Sequence, residues 1–292
     1  ASNTDFERGK VYEIQVSGIE DCAGFATNIF STEVYLHQTG DVILNEVLFD
    51  PTTTGSDFVE LKNTTAFDVS LNGWSFGYYD TEDSLIYLPF ESTANVITSA
   101  QHLALTEAPS KVISDYPNAV AENVVLNDLP SLSNDAGSVM IFDQFDELMD
   151  QFDYTADMHF ALLDNVDGVS LERISSTEPT NEAYNWHSAS SAVNFATPGY
   201  ENSQHNEAFV AETMVSLTSE FVSPDNDGYQ DVVGISYQLT DPGYSISIKV
   251  FNDKGYEIKT VTSNELIGAS GIINWDGTND LNENADIGIH IV

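Results

Sequence analysis

The chain has 292 residues, 41% of them hydrophobic and 11% aromatic, enough apolar material for two or three cores and too much for a disordered acidic tail. Its 47 acidic residues against 8 Lys and Arg leave a formal net charge of −39, a field that repels nucleic-acid phosphates and anionic lipid and counts against both as direct partners. Such a surface depends on counterions, so a salty or divalent-rich exterior suits it better than dilute cytoplasm. Cys22 is the single cysteine, which rules out a disulfide within the chain and leaves an external partner or a buried thiol. No run of 18 apolar residues is present to span a membrane as a helix. The first five residues lack the basic and apolar regions of a signal peptide, so the expectation is a chain already cleaved or cut from something longer.

In chain order, Lys10–Val16 alternates as a strand, residues 18–24 turn, and residues 26–37 read as extended again. Residues 42–49 are rich in β-branched and aromatic side chains, which suit a pleated, half-buried surface. Pro51, three threonines and Gly55 then break the strand with turn chemistry. Residues 58–62 resume alternation, Val59 and Leu61 to one face and Phe58, Glu60 and Lys62 to the other. After a polar break, Val69, Leu71 and Trp74 return to the core. Residues 84–90 and 101–106 read as strands, and residues 107–116 form a moderately helical run with Val112, Ile113 and Tyr116 at near-helical spacing. Residues 138–142 and 148–154 flank Asp143-Gln144-Phe145-Asp146, a junction suited to a hairpin. Residues 175–185 are polar and irregular, and residues 194–204 make an exit toward a linker, with Pro198-Gly199 as a turn dipeptide. A further unit begins near Val210, with strand-like runs at residues 213–218, 232–239, 245–252 and 256–262. Trp275-Asp276-Gly277 and residues 287–292 follow.

The run Leu44-Asn45-Glu46-Val47, Pro51, Asp57-Phe58-Val59-Glu60-Leu61, Asn63, and Val69 through Leu71 to Gly73-Trp74 resembles the opening of the lamin tail domain family, an immunoglobulin-like sandwich also common in secreted bacterial proteins. Later signatures of that family are similar to Leu132-Ser133-Asn134, Gly168-Val169-Ser170-Leu171-Glu172-Arg173, Trp186-His187-Ser188-Ala189 and Ala196-Thr197-Pro198-Gly199-Tyr200. The resemblance spans residues 41–203, longer than a minimal domain, with extra material expected around residues 80–127. Tyr12, Ile14, Val16-Ser17-Gly18-Ile19, Asp21 and Ala23-Gly24 resemble the last strands of immunoglobulin-like repeats on bacterial surface proteins. Residues 1–40 are therefore expected to be the C-terminal part of a truncated repeat. Its strands either pack on the next domain or belong to a polypeptide that starts upstream, because half a sandwich cannot bury its own face.

Phe221-Val222-Ser223-Pro224-Asp225-Asn226-Asp227-Gly228, Asp231, Asn274-Trp275-Asp276-Gly277 and Gly288 resemble the immunoglobulin-like modules related to the flagellar hook-capping protein. Such modules recur at the C-termini of cell-surface proteins in gliding bacteria of the Bacteroidetes type. His290 stands where that family usually has Tyr, and its last strand is expected to be missing after Val292, leaving a raw sheet edge. Together the resemblances imply an all-β chain of tandem immunoglobulin-like β-sandwiches, divided at 1–40, 41–205 and 206–292. They also imply export to the outer cell surface by a C-terminal-domain-dependent, type IX route.

Asp225, Asn226, Asp227 and Asp231, with Gly228 for the sharp turn, present oxygen ligands at the alternate positions that a Ca²⁺ loop needs. The flanking helices and the Glu twelve positions on that an EF-hand requires are lacking. The competing reading is a turn in which Asp and Asn bond their own backbone. Asp276 and Asp280 are candidates for a second cation. Asn45, Glu46, Asp57 and Glu60 make a polar cluster on adjacent strands, read either as a metal or ligand site or as groups that cap strand ends and satisfy loop amides. Glu172 and Arg173 read as an ion pair, or as an arginine docked on a carbonyl-rich loop. Trp186 is a core residue with His187 bonded to backbone. His37, His102, His159, His187, His205 and His290 show no zinc spacing. Nucleophile, P-loop and dinucleotide motifs are absent.

These features point to a non-enzymatic surface scaffold or adhesin portion of a secreted bacterial protein, stiffened by Ca²⁺. Its expected partners are neighbouring domains of the same or another surface protein, with no nucleic acid, no membrane insertion, and self-association through sheet edges. The alternative is a set of accessory domains of a secreted hydrolase whose catalytic domain lies upstream. A third reading, a glycan-binding module, would use Tyr78, Tyr79, Tyr87 and Phe90, which core packing also explains.

Overall fold

A computed structural model describes residues 6–20, 22–24, 29–79, 84–91, 96–161, 163–206, 214–225, 227–240 and 243–292. The strands in chain order are β1 (Lys10–Val16), β2 (Phe30–Leu36), β3 (Val42–Leu48), β4 (Phe58–Asn63), β5 (Val69–Ser70), β6 (Ser75–Tyr79), β7 (Leu85–Pro89), β8 (Val96–Ile97) and β9 (His102–Thr106). The helix α1 (Pro109–Asp115) follows, then β10 (Val124–Leu126), β11 (Ala136–Phe142), β12 (Leu148–Thr155), β13 (Leu171–Arg173) and β14 (Trp186–Ser188). The last unit holds β15 (Met214–Leu217), β16 (Val233–Gln238), β17 (Ser245–Asn252), β18 (Glu257–Leu266), β19 (Ser270–Trp275) and β20 (His290–Ile291). The all-β expectation holds: strands in several sheets carry the fold.

β1 and β2 form an antiparallel hairpin, with Lys10 opposite Leu36 and Val16 opposite Phe30. Ile14, Val16, Phe30 and Val34 share one face by this register and are exposed. The hairpin meets the next domain at its base. There Arg8 reaches Asp143 at 2.7 Å and Glu147 at 2.9 Å. The Tyr35 ring stacks on Phe67 at 4.6 Å, and its hydroxyl donates to Asp41 at 2.7 Å. Residues 26–28, expected to open the second strand, lie outside the described residues. Cys22 is free and exposed, so the buried-thiol alternative does not hold.

The central sandwich has a six-stranded sheet, β10-β9-β4-β3-β13-β14, against a four-stranded one, β12-β11-β6-β7. Val42, Leu44, Val47, Val59, Leu61, Trp74, Phe76, Ile141 and Phe152 meet between them. The outer face of the six-stranded sheet is covered as well. Leu48, Phe58 and Ala104 pack there with Val112 and Tyr116 from the helix region and with Ala196. The expectation of a half-buried strand at residues 42–49 is therefore corrected. Every residue of β3 is buried, because a sheet covered on both faces takes a continuous run rather than an alternating one. The helix falls where the near-helical spacing placed it, with Val112 fully buried.

The C-terminal unit pairs the sheets β15-β16-β19 and β18-β17-β20 around Val233, Ile235, Ile248, Val250 and Trp275. Strand β19 was not among the sequence expectations. Its Gly271 lies opposite Tyr237 and under its ring, where a larger side chain would collide. The final strand is shorter than residues 287–292: only His290 and Ile291 pair, with Asn252 and Phe251, while Ile287 and Ile289 stay exposed. The central and C-terminal units meet at a polar seam. Ser190 and Ser191 donate to the Leu266 carbonyl at 3.2 and 3.0 Å. The Gln204 side chain donates to Ser188 and Ile267 carbonyls.

Candidate functional site

The charged residues most deeply placed in the fold are three glutamates. β3–β4 pairing sets Glu46 opposite Glu60, and β3–β13 pairing sets Glu172 opposite Glu46. Directly opposed residues share a face and stand about 5 Å apart, so the three carboxylates form one row across β4-β3-β13. All three are 0% exposed. A register shift between Leu44 and Glu46 sends both Leu44 and Val47 into the core. It leaves Asn45 beside the row, where its amide donates to Glu60 at 2.8 Å and to Asn202 at 2.7 Å.

The segment 195–204 lies over the row. The backbone N–H of Thr197 donates to Glu46 at 2.8 Å, that of Gly199 to Glu60 at 2.6 Å and that of Gln204 to Glu172 at 2.8 Å. Ser170 donates to Glu46 at 2.5 Å and Ser203 to Glu172 at 2.8 Å. The Thr197 hydroxyl stands between Glu46 Oε2 at 3.1 Å and Glu172 Oε1 at 2.9 Å. Gly199 has φ +88, and an added Cβ would come within 2.9 Å of the Val120 carbonyl oxygen, so only glycine lets its amide reach Glu60. Burial and then the neighbouring Glu172 push the Glu46 carboxyl up to about 8. Burial and Glu46 hold Glu60 well above the ordinary range, and burial raises Glu172. The Tyr200 phenol is pushed to about 12 by burial and by all three carboxylates.

The predicted cluster of Asn45, Glu46 and Glu60 is thus real, and of its two readings the row performs the one in which carboxylates satisfy loop amides. Asp57 is not part of it. It stands beside Glu107 in a separate cleft of about 320 Å³, where burial, Glu107 and Asp50 lift its carboxyl to about 6. Glu172, which the sequence tied to Arg173, completes the row instead. Adjacent residues on a strand point to opposite faces, and that rule separates the two. Arg173 takes the docking alternative. It is 4% exposed and donates to the carbonyls of Ser175, Leu44 and Glu178 and to Asp150.

In the C-terminal unit, Asp225, Asp227 and Asp231 each offer an oxygen within 4.8 Å of the others, the one such acidic or histidine group among the described residues. Asn226, the fourth predicted ligand, lies outside the described residues. The same loop is also an Asx turn: the Asp227 amide donates to Asp225, the Tyr229 amide to Asp227 and the Gly228 amide to Asp231. Asp276 and Asp280 do not join them. They accept from Thr278 and from the Thr260 amide, respectively.

Sequence spacing gave no sign that histidines converge, yet Glu201 draws two of them. Its Oε1 lies 3.0 Å from Lys62, 3.3 Å from His205 and 3.6 Å from His102. Although burial opposes it, this basic ring holds the Glu201 carboxyl down at about 2. Glu201, His205, Tyr237 and Glu265 wall a cavity of about 460 Å³ at the seam. The proposed aromatic platform is split. Tyr79 and Tyr87 are exposed, Tyr87 standing edge-on to Phe142, while Phe90 packs on Phe76 at 4.8 Å.

The two facing sheets with their short connecting strands define an immunoglobulin-like β-sandwich. Residues 36–156 match the Lamin Tail Domain family, from the end of β2 through β12. β13 and β14 lie beyond the matched stretch, yet they complete its six-stranded sheet and carry Glu172. No curated protein matches the chain.

Proposed function

We propose that this chain is a non-catalytic, modular scaffold of an extracellular or cell-surface protein, which holds and presents neighbouring domains. The observation that carries the reading is the sealed glutamate row. The charged cluster most suggestive of chemistry is 0% exposed, and its oxygens fasten a loop to a sheet instead of facing a substrate. The seam between the central and C-terminal units is likewise hydrogen-bonded side chain to backbone, which suits a rod that transmits force. The net charge of −39 fits a setting rich in divalent cations, and Ca²⁺ at Asp225, Asp227 and Asp231 would neutralise clustered carboxylates and stiffen the C-terminal unit. The motif likeness of residues 221–277 to hook-capping-related modules supports a surface protein of the Bacteroidetes type, exported by the type IX route. The partners are adjoining domains and, through the exposed hairpin, further copies of the chain.

The test is to incubate the full chain, with Ca²⁺, with phosphodiester, glycoside, ester and peptide substrates while measuring its binding to purified surface proteins. Binding without turnover is the expected result. Turnover that disappears on Asp57→Asn, which removes a strongly raised carboxyl lining a cleft, would overturn the reading.

A further inference from the structure

We propose that the Glu46–Glu60–Glu172 row holds one proton in the folded protein, shared across Thr197, and that loss of this proton releases the 195–204 segment and loosens the seam to the C-terminal unit. The proton follows from counting donors. A threonine hydroxyl has a single hydrogen, yet Thr197 Oγ1 stands within hydrogen-bond distance of both Glu46 Oε2 and Glu172 Oε1. It donates to one of them. The other contact is a full two-centre hydrogen bond only when that carboxyl carries its own hydrogen and donates to Oγ1. The remaining donors are already placed: Ser170 and the Thr197 amide on Glu46 Oε1, Ser203 and the Gln204 amide on Glu172 Oε2, and Asn45 and the Gly199 amide on the two oxygens of Glu60. The raised carboxyls of the row agree with a retained proton.

Among the described residues, two phenols face the row. Tyr200 faces it from the covering segment and Tyr116 from the end of α1, and both are raised in part by these glutamates. The nearby cations are engaged elsewhere. Lys62, His102 and His205 surround Glu201, and Arg173 docks on Asp150 and three carbonyls. Removing the proton therefore leaves three adjacent negative charges in a sealed face. The low-cost relief is to lift the segment and admit water. That segment is continuous with the seam. Glu172 holds Ser203 and Gln204, the Ser203 carbonyl accepts from the Ala269 amide at 3.3 Å, and the Gln204 side chain bridges Ser188 and Ile267.

The sign follows from linkage. The closed form keeps the proton from the ordinary glutamate range up to about 8 for Glu46, so the opening constant rises about tenfold per pH unit across that window and levels above it. Side-chain carboxyl carbons of the row, titrated by NMR in the unmodified chain, are expected to include one resonance that moves near pH 8. Over the same range, the amides of Thr197, Gly199 and Gln204 should lose hydrogen-exchange protection by about tenfold per pH unit, after correction for intrinsic rates. Val139 and Ile141 in β11 should not. Glu46→Gln is expected to make the three amides insensitive to pH, and if it fails to fold the titration of the unmodified chain decides alone. Three carboxyls all titrating below pH 6, or loop protection unchanged from pH 6 to 9, would overturn the proposal.

Discussion

Arg173 shows how a single side chain carries an acidic chain's architecture. Its guanidinium ties the carbonyl of Leu44 in β3 to those of Ser175 and Glu178 and to Asp150 in β12, and so joins the two sheets and the loop after β13. Arg173→Ala should lower the unfolding free energy by about 3–5 kcal/mol, because it removes the counter-ion of the part-buried Asp150 carboxylate and the donor to three carbonyls. Arg173→Lys should restore little, since an ammonium cannot reproduce the planar fork. Urea denaturation measures both. His159 gives a pH signature of opposite sign to that of the glutamates. Burial, and then His187, hold its imidazole down at about 4, while Nδ1 bonds the Ser188 hydroxyl at 2.9 Å. The folded chain keeps it neutral where the unfolded chain protonates it near 6.5, so its contribution is present above that value and is lost as pH falls toward 4. The melting temperature of His159→Gln should therefore depend less on pH between 4 and 6.5 than that of the unmodified chain.

Among the elements, the Asp225–Asp231 loop and the hairpin offer the sharpest tests. With its three carboxylate oxygens gathered within 4.8 Å, the loop should bind Ca²⁺ and raise the melting temperature of the chain. The gain is about 2.7 kcal/mol at a hundred times the dissociation constant. Chelator should remove that gain and Asp227→Ala should abolish it, as read by thermal melts with and without Ca²⁺. Equal melting in all conditions would leave the loop as an Asx turn alone. The β1–β2 hairpin presents Ile14, Val16, Phe30 and Val34 to solvent on one face, and both its edges are free for further pairing among the described residues. Sedimentation at increasing concentration should show self-association, which Val16→Ser with Phe30→Ser reduces.

For the whole molecule, the decisive feature is the close fit of the central and C-terminal units. A methyl group at Gly268 would collide with the Ser203 carbonyl oxygen, and one at Gly243 would come within 2.7 Å of the His187 ring. Gly268→Ala should therefore separate the two units energetically and give two calorimetric transitions where the unmodified chain gives one. A single, unshifted transition would show that the seam carries no coupling.

Much of this architecture is written in the sequence. The alternation of Val59 and Leu61, the return of Val69, Leu71 and Trp74, the turn chemistry at Pro51 and the helical spacing of Val112, Ile113 and Tyr116 are local patterns, and local patterns suffice to set strands, turns and a helix. The alignment of Glu46, Glu60 and Glu172 is not local. It depends on the register of three strands that lie up to 126 residues apart in the chain, on a shift at Leu44, and on a loop whose glycine backbone can approach the sheet. The convergence of Lys62, His102 and His205 on Glu201 has the same origin. Sequence determined that these residues occupy strands and turns. Only the pairing of distant strands decided which carboxylates face one another, because register is a property of the folded sheet and not of any one strand.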